Sequence, residues 1–146
     1  MYVRDARNRD EAWLLDHIEG MGLDETAFRS RDYVIAIDEA ENVKAGFGRY
    51  RVHRTDDGEV CELTSIGVLE DWRGQGVGAH VIERLVRTAA DEGFSTVYSL
   101  TAEPDYLAQF GFEPIDVTQL PDRLRDRLAE KQEHIAPDAV PVRIDP

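Results

Sequence analysis

The feature that constrains this chain most is a run of alternating glycines between a β-rich stretch and a helical one. The segment reads Arg73-Gly74-Gln75-Gly76-Val77-Gly78-Ala79. Glycine permits unusual dihedrals and close approach to the backbone. The start of a helix offers N–H donors and a positive dipole end, both of which favour anions. The segment therefore predicts either an anion cradle or a glycine-rich turn selected for tight packing.

Two other glycine motifs can be tested by spacing. A Walker loop needs Gly-Lys followed by Ser or Thr, and the chain has no lysine between Lys44 and Lys131. A dinucleotide fingerprint starts at the end of a strand, whereas residues 69–72 separate Val68 from Arg73. The first motif is excluded and the second is not favoured.

Hydrophobic periodicity predicts strands and helices on both sides of the glycines. We expect strands at 2–6, 33–37, 43–54, 59–68, 96–100 and 140–144, and an extended segment at 111–114. Helices are expected at 9–19, 24–28, 76–92, 103–110 and 121–133, with Asp24 capping the second. This order predicts an α+β fold with one mixed sheet.

Length and composition limit the class of protein. A chain of 146 residues is the size of one domain, and it contains no apolar run of the roughly 20 residues that a transmembrane helix needs. The first residues enter a charged segment without a signal-like apolar stretch, and the lone Cys61 cannot form an internal disulfide. We therefore expect a cytoplasmic protein.

The charge balance is strongly acidic, with 30 acidic and 17 basic residues and a net charge of −13. Such a field repels nucleic acid and anionic membranes, so neither is expected as a partner. Because the acidic residues are scattered and not gathered in a tail, they favour a surface adapted to high salt. The alternative is an acidic protein from an ordinary cytosol. An anionic cofactor would then depend on local dipoles and a few arginines.

With these motifs, the sequence resembles the GNAT acetyltransferase family. The likeness is carried by Ile66-Gly67-Val68, followed by Arg73, Gly76 and Gly78, and later by the segment from Tyr106 to Phe112. It covers about residues 33–114 and favours the anion cradle over the packing turn. The tail, with Leu120-Pro121, resembles the small amino-acid N-acetyltransferases of the N-acetylglutamate synthase type.

The resemblance implies a single domain over residues 1–146, with a mixed, mostly antiparallel central sheet flanked by helices. The cofactor-binding core would span about 59–114, and a C-terminal helix and strand would span 118–146. The cosubstrate would be acetyl-CoA, with its pyrophosphate on Arg73 to Ala79. Its pantetheine arm would pair with the backbone of Ile66, Gly67 and Val68, in a splay between that strand and residues 96–100. The Val68 N–H would hold the oxyanion of the tetrahedral intermediate.

Two residues are candidates for proton transfer. Glu62 matches the family's general base and, six residues before Val68, is expected on the same strand face; the alternative is an ordinary exposed strand glutamate. The family's acid, a tyrosine, corresponds to Leu107 here. Tyr106 is one position earlier, about 100° around the helix. We therefore expect Tyr106 to be a core residue and not the general acid.

A basic row on one strand face is the candidate for substrate recognition. The row consists of Arg49, Arg51 and His53. Its arginines, Arg49 and Arg51, could bind a substrate carboxylate, whereas pairing with acids on adjacent strands is the favoured alternative. The histidines and Cys61 show no metal-ligand spacing, so no metal is expected.

The sequence thus predicts acetyl transfer from acetyl-CoA to the primary amine of a small molecule or amino acid. A protein or peptide acceptor, and a non-catalytic acyl-CoA sensor, remain alternatives. A homodimer is compatible with the sequence, which does not fix the oligomeric state.

Overall fold

The computed structural model describes all 146 residues and contains seven strands and four α-helices. The strands are β1 Tyr2–Asp5, β2 Tyr33–Asp38, β3 Val43–Thr55, β4 Gly58–Val68, β5 Val97–Thr101, β6 Glu113–Pro114 and β7 Val140–Ile144. The helices are α1 Glu11–Gly20, α2 Val77–Asp91, α3 Pro104–Ala108 and α4 Asp122–His134.

The strands form a seven-stranded sheet in the order β1-β2-β3-β4-β5-β7-β6. The pairs β1–β2, β2–β3, β5–β7 and β6–β7 are antiparallel, whereas β4 and β5 are parallel. The ladder between β4 and β5 contains two pairs, Cys61 with Val97 and Glu62 with Tyr98. The predicted α+β fold with a mixed, mostly antiparallel sheet is confirmed.

The chain divides into two compact units. The first comprises Met1–Tyr50 and Ser65–Leu85, and the second comprises Arg51–Thr64 and Val86–Pro146. Strands β3 and β4 and helix α2 contribute residues to both. The expectation of a single domain stays a prediction.

In the first unit, α1 and two strands form an apolar core. Its buried members are Ala6, Leu14, Ile18, Tyr33, Ile35, Ile37 and Phe47. Helix α2 lies close to β3 because that strand carries glycine where the two elements meet. A β-carbon added at Gly48 would lie 2.6 Å from the Val81 side chain, so alanine would force that side chain or the helix to move.

In the second unit, the seam of α4 packs against neighbouring strands and loops. The buried members of this cluster are Leu100, Leu120, Leu124, Leu128 and Ala139. The leucines of α4 are four residues apart, the spacing that places side chains on one helix face. None of the four helices combines the length and the apolar character that a transmembrane span requires.

The expected short helix at 24–28 is absent, and this prediction was wrong. The Asp24 carboxylate accepts a hydrogen bond from the Thr26 N–H at 3.0 Å, which closes a local turn two residues ahead. Ala27 then adopts a positive φ of 51°, which a right-handed helix cannot contain. Asp24 therefore stabilises a turn and does not cap a helix.

Candidate functional site

The glycine loop joins the end of β4 to the start of α2. Gly74 and Gly76 have φ values of +77° and +80°, where glycine has no steric penalty. No heavy atom lies within 4 Å of where a β-carbon would stand at either residue, and both are exposed. The loop therefore presents open backbone at the N-terminus of α2.

Local hydrogen bonds hold the loop in this shape. The Trp72 N–H donates to the Leu69 carbonyl at 2.8 Å, and the Gln75 side chain donates to the Asp71 carbonyl at 3.0 Å. The Arg73 guanidinium turns back to the Val68 carbonyl at 3.2 Å. Because the first N–H groups of a helix have no acceptor within that helix, the start of α2 can bind an anion.

The backbone of β4 departs from the extended conformation at one residue. Ser65 lies within the strand with φ +52°, in the left-handed region that non-glycine residues rarely adopt. Its hydroxyl donates to the Asp24 carbonyl, which ties this strained residue to the loop after α1. The expectation that Glu62 and Val68 share one strand face stays a prediction.

Glu62 lies at the centre of a buried charged cluster in the second unit. Its side chain has no exposed surface. Arg127 of α4 donates Nε to Oε1 at 3.1 Å and Nη2 to Oε2 at 2.8 Å, and His53 Nε2 lies 2.7 Å from Oε1. Each carboxylate oxygen of Glu62 therefore already has a hydrogen-bond partner. The alternative of a solvent-exposed strand glutamate is wrong.

The surroundings of Glu62 keep it ionised. Burial by itself raises the pKa of this carboxyl, but the hydrogen bonds from His53 and Arg127 and the charges of Arg127 and Lys131 outweigh burial, lowering the pKa from 4.5 to about 2. A carboxylate with so low a pKa is a weak base. Direct removal of an amine proton by Glu62 stays a prediction that this geometry does not favour.

The cations of this cluster were missed in the sequence. Arg127 and Lys131 are one helical turn apart on α4, and both are almost completely buried. The Lys131 ammonium lies 3.4 Å from the Thr64 hydroxyl. The signal was a basic pair at i and i+4 next to the leucine seam of the same helix. Basic side chains on helices usually face water, so the pattern alone did not reveal it.

The side chain of Arg49 is already engaged in contacts within the protein. Its guanidinium is buried, donating to the Thr26 and Ala27 carbonyls at 2.7 Å each and to the Asp32 carboxylate at 2.9 Å. These contacts fix the loop after α1. Arg51 is partly buried on the same strand. Substrate recognition by this pair stays a prediction, and for Arg49 the geometry argues against it.

Tyr106 was expected in the core, and the structure contradicts this. Its residue is 38% exposed and its ring packs against Phe110, with ring centroids 5.3 Å apart, whereas Leu107 takes the buried position. Partial burial raises the pKa of the Tyr106 phenol above its usual value of 10.0. A role as general acid stays a prediction. No group of three His, Cys, Asp or Glu side chains has an arrangement that could hold a metal ion.

Comparison with known proteins agrees with this fold. The model of the acetyltransferase (GNAT) family matches residues 3–112. An uncharacterized N-acetyltransferase of Chlorobaculum tepidum is 26% identical over 66 residues, which make up 45% of this chain and 43% of that protein. The chain thus spans less than half of that curated relative.

Solved structures share the fold at low identity. A Mycobacterium tuberculosis protein in complex with CoA has a TM-score of 0.79 and 17% identity, covering 100% of this chain and 99% of the other. N-acetylglutamate synthase from Neisseria gonorrhoeae, complexed with coenzyme A and N-acetyl-glutamate, has a TM-score of 0.77 and 16% identity. That alignment covers 97% of this chain but 34% of the synthase chain.

The chain combines a mixed α+β sheet with an open glycine loop before a helix. Because the family model covers most of its length, the chain belongs to the GNAT acetyltransferase family. The matched range ends at Phe112, so α4 with Arg127 lies outside it.

Proposed function

We propose that this protein is an acetyl-CoA-dependent N-acetyltransferase that modifies the primary amine of a small molecule or amino acid. The observation that carries the proposal is the open loop with Gly74 and Gly76 in the left-handed region at the start of α2. Backbone N–H groups there can bind the pyrophosphate of acetyl-CoA without a large positive field. This suits a chain whose net charge is −13.

The chemistry assigned to the chain is direct transfer. The unprotonated amine attacks the thioester carbonyl, a tetrahedral oxyanion forms, and the C–S bond breaks to release coenzyme A. The backbone of Ile66, Gly67 and Val68, the last residues of β4, would pair with the pantetheine arm. The Val68 N–H would stabilise the oxyanion.

The small amine is favoured by the ligands bound to proteins of similar fold. N-acetylglutamate synthase from Neisseria gonorrhoeae was solved with N-acetyl-glutamate and, separately, with L-arginine. A peptide acceptor is a second candidate. Naa50 of Arabidopsis thaliana, solved with a bisubstrate peptide analogue, has a TM-score of 0.67 over 97% of this chain.

A panel of amines separates these candidates. Acetyl-CoA is incubated with the protein and with amino acids, aliphatic amines, amino sugars or short peptides, and both free thiol and acetylated product are measured. We expect thiol release in step with acetylation of a small amine. Acetylation of peptides alone would move the assignment to a protein substrate. Binding of acetyl-CoA with no thiol release from any amine would contradict the enzymatic function.

A further inference from the structure

The loop after α1, residues 21–32, is held in place by a buried cation of the sheet. Arg49 on β3 is 1% exposed, and its guanidinium donates to the Thr26 and Ala27 carbonyls at 2.7 Å each. It also donates to the Asp32 carboxylate, from Nη2 at 2.9 Å and from Nε at 3.2 Å. A buried guanidinium is costly unless its donors are paired, and here the partners lie in this loop. Arg49 therefore links the middle of the loop to its end.

The backbone of the loop is strained at one of the residues that Arg49 contacts. Ala27 has φ +51°, in the left-handed region that non-glycine residues rarely adopt. Such strain persists only where the surrounding contacts determine the conformation, and it is typical of sites that hold ligands. The next residue, Phe28, packs on Tyr33 with ring centroids 5.3 Å apart, and the Tyr33 ring centroid lies 5.6 Å from Arg49 Cζ. Arg49 and the aromatic pair together fix this conformation.

The loop contacts β4 next to the segment proposed to pair with pantetheine. The Ser65 hydroxyl donates to the Asp24 carbonyl, and a β-carbon at Gly67 would lie 2.9 Å from the Met21 sulfur. Consecutive strand residues are about 3.3 Å apart, so both contacts lie within roughly 10 Å of Val68 along the strand. The loop is therefore a neighbour of the acetyl group in the proposed complex.

The other face of the sheet at this position is covered by α2. Side chains of consecutive strand residues point to opposite faces, so Gly46 and Gly48 lie on the face opposite Arg49. A β-carbon at Gly46 would lie 2.7 Å from the Val77 side chain, and one at Gly48 would lie 2.6 Å from that of Val81. Because α2 fills the space on that face, the amine approaches the thioester from the side on which the loop lies.

We propose that Arg49 is a positioning residue of the acetyl-transfer reaction, which holds the loop in the conformation that binds the acceptor amine. This inference rests on the proposed function. Arg49 itself does not contact the substrate, because its donors are committed to the loop. Thr26 and Ala27, whose carbonyls it binds, are exposed, so this part of the loop can contact a ligand. Loss of the guanidinium should therefore weaken the binding of the amine and leave the binding of acetyl-CoA unchanged.

The test uses Arg49→Lys, which keeps the positive charge but cannot donate to two carbonyls and a carboxylate as the planar guanidinium does. The matched control is Arg84→Lys, because Arg84 on α2 donates to the Val3 carbonyl at 2.6 Å and to the Asp5 carboxylate at 3.0 Å. With the best amine of the panel, we expect the amine KM of Arg49→Lys to rise about tenfold or more. The KM for acetyl-CoA should stay within about twofold of wild type. Arg84→Lys should change neither value.

The division between KM and kcat separates positioning from a purely structural role. If Arg49 only stabilised the fold, Arg49→Lys would reduce the folded fraction, which lowers the apparent kcat and leaves both KM values unchanged. That result, or an equal rise in both KM values, would overturn the inference.

Ser65→Ala keeps the inference testable if Arg49→Lys does not fold. It removes the hydroxyl that ties β4 to Asp24 and leaves the contacts of Arg49 in place. We expect a smaller rise in the amine KM, about threefold or more, with the KM for acetyl-CoA unchanged. The control is Thr55→Ala, which removes a hydroxyl that donates to the Gly58 carbonyl in the β3–β4 hairpin and should change neither value. An amine KM of Ser65→Ala equal to that of wild type would overturn the inference.

Amide hydrogen exchange tests the contact between Arg49 and the loop without an assay of acetylation. The Thr26 N–H donates to the Asp24 carboxylate and the Asp32 N–H to the Arg29 carbonyl, so both amides report on the loop. We expect both to exchange faster in Arg49→Lys than in wild type, and equal rates would overturn the inference. If acetyl-CoA binds but no amine is acetylated, the proposed function fails, and the exchange rates still test whether Arg49 holds the loop.

Discussion

The loop before α2 and the cluster around Glu62 differ in the kind of charge they contain and in its exposure to solvent. In the loop, exposed backbone with glycines at positive φ offers partial charges to a ligand. Around Glu62, full charges from Arg127 and Lys131 are buried and committed to protein contacts. An acidic chain can bind an anion at the first kind of site, whereas the second kind mainly fixes its own side chains. Changes in the cluster should therefore alter stability, and changes in the loop should alter ligand affinity.

The largest expected effect is the loss of stability when Arg127 is replaced. Arg127→Met leaves Glu62 buried without its bidentate partner, and breaking a buried pair in this way costs about 3–5 kcal/mol. Urea unfolding of the variant measures this cost. The control is Arg54→Met, since the Arg54 side chain is 91% exposed and its loss should change stability by less than about 0.5 kcal/mol. An Arg127→Met protein as stable as the control would contradict the buried pair.

The pH dependence of stability tests the same pair from the carboxylate side. The pKa of Glu62 is lowered from 4.5 to about 2, so its ionised form stabilises the fold above pH 4.5, and this stability is lost as the pH falls toward 2. The contribution is on the order of 3 kcal/mol. The stability gap between wild type and Glu62→Gln should narrow over that range. Glu59→Gln, at a 56% exposed side chain, should show no such change.

Substitutions in the glycine loop should lower the affinity for acetyl-CoA and not the stability of the fold. Gly76→Asp places a carboxylate where an anion is expected, and acetyl-CoA affinity should fall at least about tenfold, or about 1.4 kcal/mol. Gly76→Asn adds a similar side chain without charge and should lose less. Gly93→Asp is the control, because Gly93 has φ +89° and an equally open β-carbon position. Calorimetric titration would reject the loop assignment if Gly76→Asp bound acetyl-CoA as wild type does.

The smallest effect is expected at Tyr106. Its hydroxyl lies on a residue that is 38% exposed, and the Tyr106→Phe change keeps the ring contact with Phe110. The acetylation rate should stay within a few fold of wild type. A loss near 10²-fold with an altered alkaline limb would instead identify Tyr106 as the general acid.

The strand and helix pattern was largely predictable, and its failures have local causes. The limits of β7 were predicted without error, and those of β3 and β4 to within one residue. The helix expected at 24–28 failed because Asp24 favours both helix caps and short turns. The left-handed backbone at Ser65 within β4 was not predicted, because a single residue at positive φ leaves no signal in the hydrophobic alternation.

The loop and the cluster around Glu62 differed in how much of each could be predicted from the sequence. The loop is contiguous, so glycine spacing was enough to locate it. The partners of Glu62 include Arg127, which is 65 residues away, and pairing over such a distance depends on tertiary packing that periodicity does not report. The arginines on β3 were named for a shared face, yet Arg49 is committed to the loop after α1.

The central claim is that the backbone of residues 73–79 holds the pyrophosphate of acetyl-CoA. The most direct measurement is an amide ¹H–¹⁵N titration of the protein with coenzyme A and, separately, with pantetheine, which lacks the pyrophosphate. We expect coenzyme A to shift the amides of Gly74 to Ala79 most strongly and pantetheine to leave them nearly unchanged. Equal shifts with both ligands, or coenzyme A shifts that leave this loop unaffected, would contradict the claim.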